Sequence, residues 1–264
     1  MLYYLRVELG KWMSVTSGKK SEGGLGETIR VVIHAFLIAV VIRTLLFQPF
    51  NIPSGSMKAT LLVGDYLFVS KYSYGYSRFS IPFSPPLFSG RIWGSDPNRG
   101  DVVVFRLPKD DTTDYIKRVI GLPGDRIQMK GGLLYINDEP VKRERLSDFV
   151  GEDPCGSEAS VPVKRWKETL PNGVSYETLD CFDNGFYDNT IEYTVPPDHF
   201  FMMGDNRDNS QDSRVLSAVG YVPRENLIGR AQLIFFSVAE GDSAWMFWRW
   251  PFSVRWSRLF KIVR

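Results

Sequence analysis

Histidine, cysteine and net charge are all scarce in this chain, and each shortage closes off a class of function. The 264 residues include two histidines, His34 and His199, and two cysteines, Cys155 and Cys181. His34 lies inside an apolar run and no G-x-S-x-G elbow is present, so a histidine-based esterase is disfavoured. No C-x-x-C pair and no histidine at metal-ligand spacing occurs, which argues against zinc, and no cofactor is expected. Both cysteines lie in one polar stretch. A disulfide in an oxidising compartment and two free thiols are both open readings. A net charge of +2 gives no electrostatic case for nucleic acid.

Long hydrophobic runs are scarce too. "IRVVIHAFLIAVVIRTLLF" (29–47) is the single candidate span, and its nineteen residues give roughly 28 Å of helix against a hydrocarbon core of roughly 30 Å. Arg30 and Arg43 sit near its ends, where both can snorkel, and His34 is read as tolerated near the interface. Arg6, Lys11, Lys19, Lys20 and Arg30 precede or open the run, whereas residues 48–67 carry only Lys58. The positive-inside rule keeps residues 1–28 in the cytoplasm and sends the remainder across. No A-x-A site follows, so the run reads as an uncleaved anchor rather than a secretory signal.

Helical periodicity is nearly absent beyond the anchor. "DYLFVSKYSY" (65–74), "DVVVFRL" (101–107), "YIKRVIGL" (115–122) and "LIGRAQLIFFSV" (227–238) read as strands. Residues 126–141 read as two hairpins turning at Gly131-Gly132 and Asn137-Asp138, and Asn172-Gly173 marks another turn. The fold class is therefore mainly β behind one transmembrane helix. Residues 48–141 and 196–238 form the expected core, with 142–195 an insertion subdomain. The tail 239–264 alternates Trp and Phe with Arg and Lys, as suits a membrane interface; a buried aromatic strand is the plainer alternative.

"FNIPSGSMKAT" (50–60) puts two serines on a Pro- and Gly-flanked turn just after the anchor. A serine hydroxyl needs a base, and with histidine so scarce the candidates come down to lysines and carboxylates. A lysine with the ordinary pKa of about 10.4 qualifies only when apolar burial lowers it. Lys117, among Tyr115, Ile116, Val119 and Ile120, fits best, while Lys58, Lys71 and Lys109 read as too exposed. A solvated strand lysine is the bland alternative for Lys117.

"PSGSM" after an anchor, then "GDYLFVSKYSYG", "RGDVVVF", "DYIKRVIGLPGD" and "GDNRDNSQDSR" (204–214), in that order, resemble bacterial type I signal peptidase, with wording similar to alphaproteobacterial members. The segments cover about 50–236 apart from the insertion, and the single span departs from the two-span enterobacterial form. The resemblance implies a signal-peptidase-type antiparallel β-sheet domain and a membrane-bound serine endopeptidase. In that reading Ser56 is the nucleophile and Lys117 the base. Ser54 with the Ser56 amide forms the oxyanion hole, and Ser210 orients the lysine. Phe50, Ile52, Pro53, Asp114, Tyr115 and Ile116 line the substrate cleft, and Asp205, Arg207, Asp212 and Arg214 pair across a loop that holds Ser210. That loop is only a loose mimic of a calcium site, lacking the turn glycine and closing Glu.

The implied partners are the signal peptides of exported preproteins, cut after small-x-small sites, and the bilayer of a bacterial inner membrane, with the catalytic domain periplasmic and one copy sufficient. A pilin or conjugation peptidase, or a self-cleaving regulator of the same clan, would use the same chemistry. Regulators of that kind are cytosolic and unanchored. A dead membrane-tethered binding module is the alternative of another class, and it would be expected to lose Ser56 or Lys117.

Overall fold

The computed structural model describes residues 24–151, 155 and 162–264. The expected cytoplasmic tail thus lies outside the described residues except for 24–28, as does part of the insertion. Val41–Arg264 form one compact unit and the described residues up to Val40 belong to another.

Helix α1 runs Leu25–Leu45, with Glu27 in its first turn and Arg43 in its last, each on the favourable end of the helix dipole. It is the one helix among the described residues that is long and apolar enough to cross a membrane. Its bounds differ from the expected 29–47. Pro49 disfavours helical backbone at Gln48, so the chain is already extended by Phe47.

The strands follow in chain order. They are β1 Phe47–Asn51, β2 Asp65–Ser70, β3 Val102–Arg106, β4 Asp114–Gly121, β5 Arg126–Lys130, β6 Leu133–Ile136 and β7 Glu139–Pro140. The second half holds β8 Lys142–Arg145, β9 Lys164–Thr169, β10 Ser175–Asp180, β11 Tyr193–Thr194, β12 His199–Met203, β13 Val222–Pro223, β14 Leu227–Ser237 and β15 Lys261–Ile262. The main sheet has the order β1-β2-β14-β3-β4-β12-β13, with β15 added against β14. Every pairing is antiparallel. Pro49 fits because β1 is an edge strand, where a missing N–H breaks no ladder.

The unbroken run "VVVF" follows from burial on both faces of this sheet. Val102 and Val104 join Ile52, Leu67, Val69, Ile116 and Ile228 in one apolar cluster. Val103 and Phe105 face the other way, with Val119, Phe200, Met202 and Leu227. A third cluster lies between β12 and the smaller sheet β11-β5-β6-β7, centred on Ile120, Ile127, Leu134 and Phe201. The hairpin turns fall where expected, with positive φ at Gly131, Gly132, Asn137 and Asp138.

The insertion is less separate than its composition suggested. Strands β8, β9 and β10 make their own sheet, yet β11 pairs with β5 of the core at Tyr193↔Ile127. Cys155 and Cys181 are joined by a disulfide, which settles the thiol alternatives. In the tail, Trp245, Phe247, Trp248, Phe252, Trp256 and Phe260 are exposed, against the buried-strand alternative, while β15 pairs with β14 and Trp250 and Arg258 contact Phe236 and Asp65 of the sheet.

Phe201 on β12 is fully buried and its ring lies 5.0 Å from that of Tyr193. Phe201→Ala is expected to cost about 3–5 kcal/mol, measured by denaturant unfolding of the detergent-purified chain. Phe83→Ala, at a fully exposed loop position, should change stability by less than about 0.5 kcal/mol. Equal losses at the two positions would contradict this assignment of the core.

Candidate active site

In the sheet order, three strands separate β1 from β4, which in a flat sheet would place them about 19 Å apart. The sheet instead curls until the turn after β1 meets β4, and Lys117 Nζ lies 2.7 Å from Ser56 Oγ. That turn is a 3-10 helix over Gly55–Met57, with Ser54 extended at its N-cap. Ser54 Oγ is 3.4 Å from Ser56 Oγ, and Ser54 itself is exposed.

Lys117 is 3% exposed. Its amine also donates to the Ile116 carbonyl at 2.9 Å and lies 5.3 Å from the centroid of the Tyr115 ring. Burial lowers its pKa from 10.5 to about 8, against the opposing pull of the Asp212 and Asp205 charges. At neutral pH roughly a tenth of such lysines are free amines. A hydroxyl and a partly deprotonated amine in direct contact are equipped for nucleophilic attack with proton transfer.

Two of the other lysines correct the sequence reading. Lys58 and Lys71 are not exposed, at 3% and 1%. Lys58 forms an ion pair with Glu240 at 3.2 Å. Lys71 has a pKa lowered to about 8 by burial and by Arg43, yet its amine donates to the Ser80 carbonyl, not to a serine hydroxyl. Local sequence cannot reveal such burial, because distant segments supply it. Lys109 is exposed as read.

The loop 204–214 is fastened differently from the expected cross-loop pairing. Asp212 and Arg214 do pair, with Arg214 Nε and Nη2 each 2.8 Å from the carboxylate. Burial alone would raise the Asp212 carboxyl, but the Arg214 charge and hydrogen bonds hold it below its ordinary value. Asp205 instead takes Arg118 of β4 in a bidentate pair at 2.8 and 2.6 Å, plus the Thr60 hydroxyl. Arg207 leaves the loop for Glu168 of β9, at 2.8 and 2.5 Å, with the Tyr176 hydroxyl on the same carboxylate. These partners come from other segments, so the loop's own spacing could not name them.

Ser210 is buried, but the Lys117 amine bonds Ser56 Oγ and the Ile116 carbonyl, so the expected Ser210–Lys117 bond is not formed. It packs on Gly204 instead. A Cβ at Gly204 would fall 2.2 Å from Ser210 Oγ and 2.5 Å from the Ser56 carbonyl oxygen. Gly204 and Asn206, which donates its backbone N–H to the Ser56 carbonyl at 3.1 Å, are site residues that sequence reasoning missed.

The expected cleft residues line two free strand edges. β1 pairs only with β2, and β4 meets β12 only from Arg118 onward, leaving Asp114–Lys117 open on that side. Ile52 and Ile116 are buried, and Phe50 packs half-buried against their cluster. Pro53 and Asp114 are exposed, and the Tyr115 hydroxyl donates to Gln211 at 3.1 Å. Among the described residues no three His, Cys, Asp or Glu side chains gather in a way that could hold a metal ion.

Comparison with known proteins gives one consistent result. A family model described as signal peptidase, peptidase S26, matches residues 25–236. Signal peptidase I of Rickettsia typhi is 46% identical over 241 residues, covering 85% of this chain and 88% of that protein. Its counterpart in Rickettsia conorii is 48% identical over 208 residues, covering 76% and 75%. A crystal structure of a signal peptidase I from Enterococcus faecalis covers 52% of this chain and 97% of its own at 24% identity, with a TM-score of 0.30, too low to speak for the fold.

The lowered lysine has a consequence for stability. The unfolded chain holds this proton up to about pH 10.5 and the folded chain only to about 8, so stability rises with pH between them. Below pH 8 the full cost is present, about 3 kcal/mol. Lys117→Met should therefore be more stable than the parent at pH 7 by up to about 3 kcal/mol, with the gap closing near pH 10.5. Unfolding curves at both pH values check this; a variant less stable at pH 7 would contradict it.

Proposed function

The chain belongs to the signal peptidase family, peptidase S26, a family of serine endopeptidases, and we propose that it cleaves signal peptides with a Ser56–Lys117 dyad at the membrane surface. The observation that carries this reading is the 2.7 Å contact between a buried lysine amine and a serine hydroxyl on the Pro-Ser-Gly-Ser turn.

The neutral Lys117 amine takes the proton from Ser56 Oγ as that oxygen attacks the scissile carbonyl. Negative charge then develops on the carbonyl oxygen, and the Ser54 hydroxyl with the Ser56 backbone N–H is the donor pair proposed to meet it. Losing one such donor typically costs about 3 kcal/mol of barrier. The Lys117 ammonium hands its proton to the departing amine, leaving an acyl group on Ser56. A water molecule, deprotonated by the same lysine, releases the acyl group and restores the hydroxyl.

The substrate is an extended segment lying between the open edges of β1 and β4, hydrogen-bonded through its backbone. Phe50, Ile52 and Ile116 shape shallow apolar pockets that admit small side chains one and three residues before the cut. The ion-paired loop 204–214 backs the Ser56 turn through the Asn206 N–H on the Ser56 carbonyl. The helix α1 and the exposed aromatic tail suit a single copy held at a bacterial inner membrane, with the basic N-terminal flank cytoplasmic and the catalytic unit periplasmic. Signal peptides and the bilayer are then its two partners.

The test is cleavage of a preprotein by the detergent-purified full chain from pH 6 to 10. The parent should cut after a small residue, with kcat/KM falling about tenfold per pH unit below about pH 8. Ser56→Ala and Lys117→Met should each lose about 10³-fold or more while staying folded. An active Lys117→Met enzyme would remove the lysine from the mechanism, and a parent that cuts nothing would favour a binding module.

A further inference from the structure

A cavity of about 330 Å³ lies at the end of the cleft remote from the dyad, and its walls come from the same two strands that frame the cleft. On β1, Gln48 precedes Phe50 and Ile52 by steps of two, so the three share a face. Its register partners agree: Gln48 sits opposite Val69 and Phe50 opposite Leu67, both members of the apolar cluster that holds Ile52. On β4, Asp114 precedes Ile116 by two in the same way. Arg106 pairs in register with Asp114 as Val104 does with Ile116. The floor is Phe79 and Ile228, from that same cluster. The cavity is thus the continuation of the apolar pockets by one strand repeat, about 7 Å further from Ser56.

Its chemistry changes at that step. Asp114 is occupied by the Arg106 guanidinium at 3.0 Å, and Asp111, on the rim, by Arg78 at 2.8 Å. Arg43 and the Gln48 amide, which also line it, have no ion pair or side-chain hydrogen bond among the described residues. The unspent capacity of the cavity is therefore donor capacity with one positive charge.

Resting on the reading of the chain as a signal-peptide endopeptidase, we infer that this cavity receives the substrate side chain five residues before the cut and selects an acceptor-bearing one, Glu or Gln, over Lys. A strand-like substrate turns side chains one, three and five to the same face. The first two meet Ile52, Phe50 and Ile116; the fifth meets Gln48, Arg43 and Arg106. The requirement for small residues near the cut and a preference for a polar residue upstream then have one structural origin, the exchange of Ile52 and Ile116 for Gln48 and Asp114 along the two edges.

The test uses the full chain in detergent and four peptides that differ only at the fifth position, Glu, Gln, Leu or Lys, each with Ala-x-Ala before the cut. A control with Ile in place of the last Ala must not be cut. Glu and Gln should exceed Lys by about tenfold in kcat/KM, mainly through KM. Arg43→Glu should invert the order, so that Lys exceeds Glu. Four peptides cut within twofold of one another, or a preference that Arg43→Glu leaves unchanged, would overturn the subsite while leaving the function standing. A chain that cuts none of the four would overturn both.

Discussion

The burial of one amine is the constraint on which the rest of the structure turns. Lys117 can serve as the proposed base only where water is scarce, because desolvation is the largest influence that lowers its pKa toward 8. Scarcity of water there requires the main sheet to curl, since the serine and the lysine belong to strands with three others between them. The curl in turn explains the double-sided apolar pattern of β3 and the exclusion of side chains at Gly204, where the loop passes within van der Waals reach of the nucleophile's own carbonyl. Catalytic chemistry and fold are thus linked through a single dielectric requirement.

A dry site must still be held in register, and three arginine–carboxylate pairs do this. Arg118–Asp205 joins β4 to the loop, Arg207–Glu168 joins the loop to the insertion, and Arg214–Asp212 closes the loop on itself. All six side chains are at least 95% buried. Burying ions is costly, and each pair is tolerable only because it is bidentate and its remaining lone pairs are met by Thr60, Tyr176 or a backbone group. The insertion therefore supplies part of the site's frame: Glu168 is on β9, and Leu179 of β10 exchanges backbone hydrogen bonds with Asp205 and Arg207. Removing it would strand Arg207.

How far the sequence could be read follows from the range of the forces involved. Strands, hairpin turns and the anchor are local: β2, β3 and β14 lie within the apolar runs that suggested them, and β4 begins one residue ahead of its run. The two turn serines and the apolar-flanked Lys117 are also local signals, while the choice of Ser56 over Ser54 rests on the resemblance to type I signal peptidase. What stayed hidden was long-range. β11 leaves the insertion for β5, and Asp205 and Arg207 find partners on other segments. Ser210 shows the same limit from the other side, since a residue can be buried beside the right neighbours without making the expected bond.

Burial alone does not select the base. Lys58, Lys71 and Lys117 are all nearly inaccessible, and Lys71 has a pKa as low as that of Lys117. The difference lies in what each amine faces. Lys58 faces the Glu240 carboxylate, an acceptor with no proton to give. A carbonyl opposite Lys71 accepts a proton's hydrogen bond but cannot give one up. Lys117 faces a hydroxyl, a group that can both accept from the ammonium and donate to the free amine. Proton traffic needs a partner with both capacities, so the identity of the atom 2.7 Å away, more than the depth of burial, sets the proposed base apart from Lys58 and Lys71.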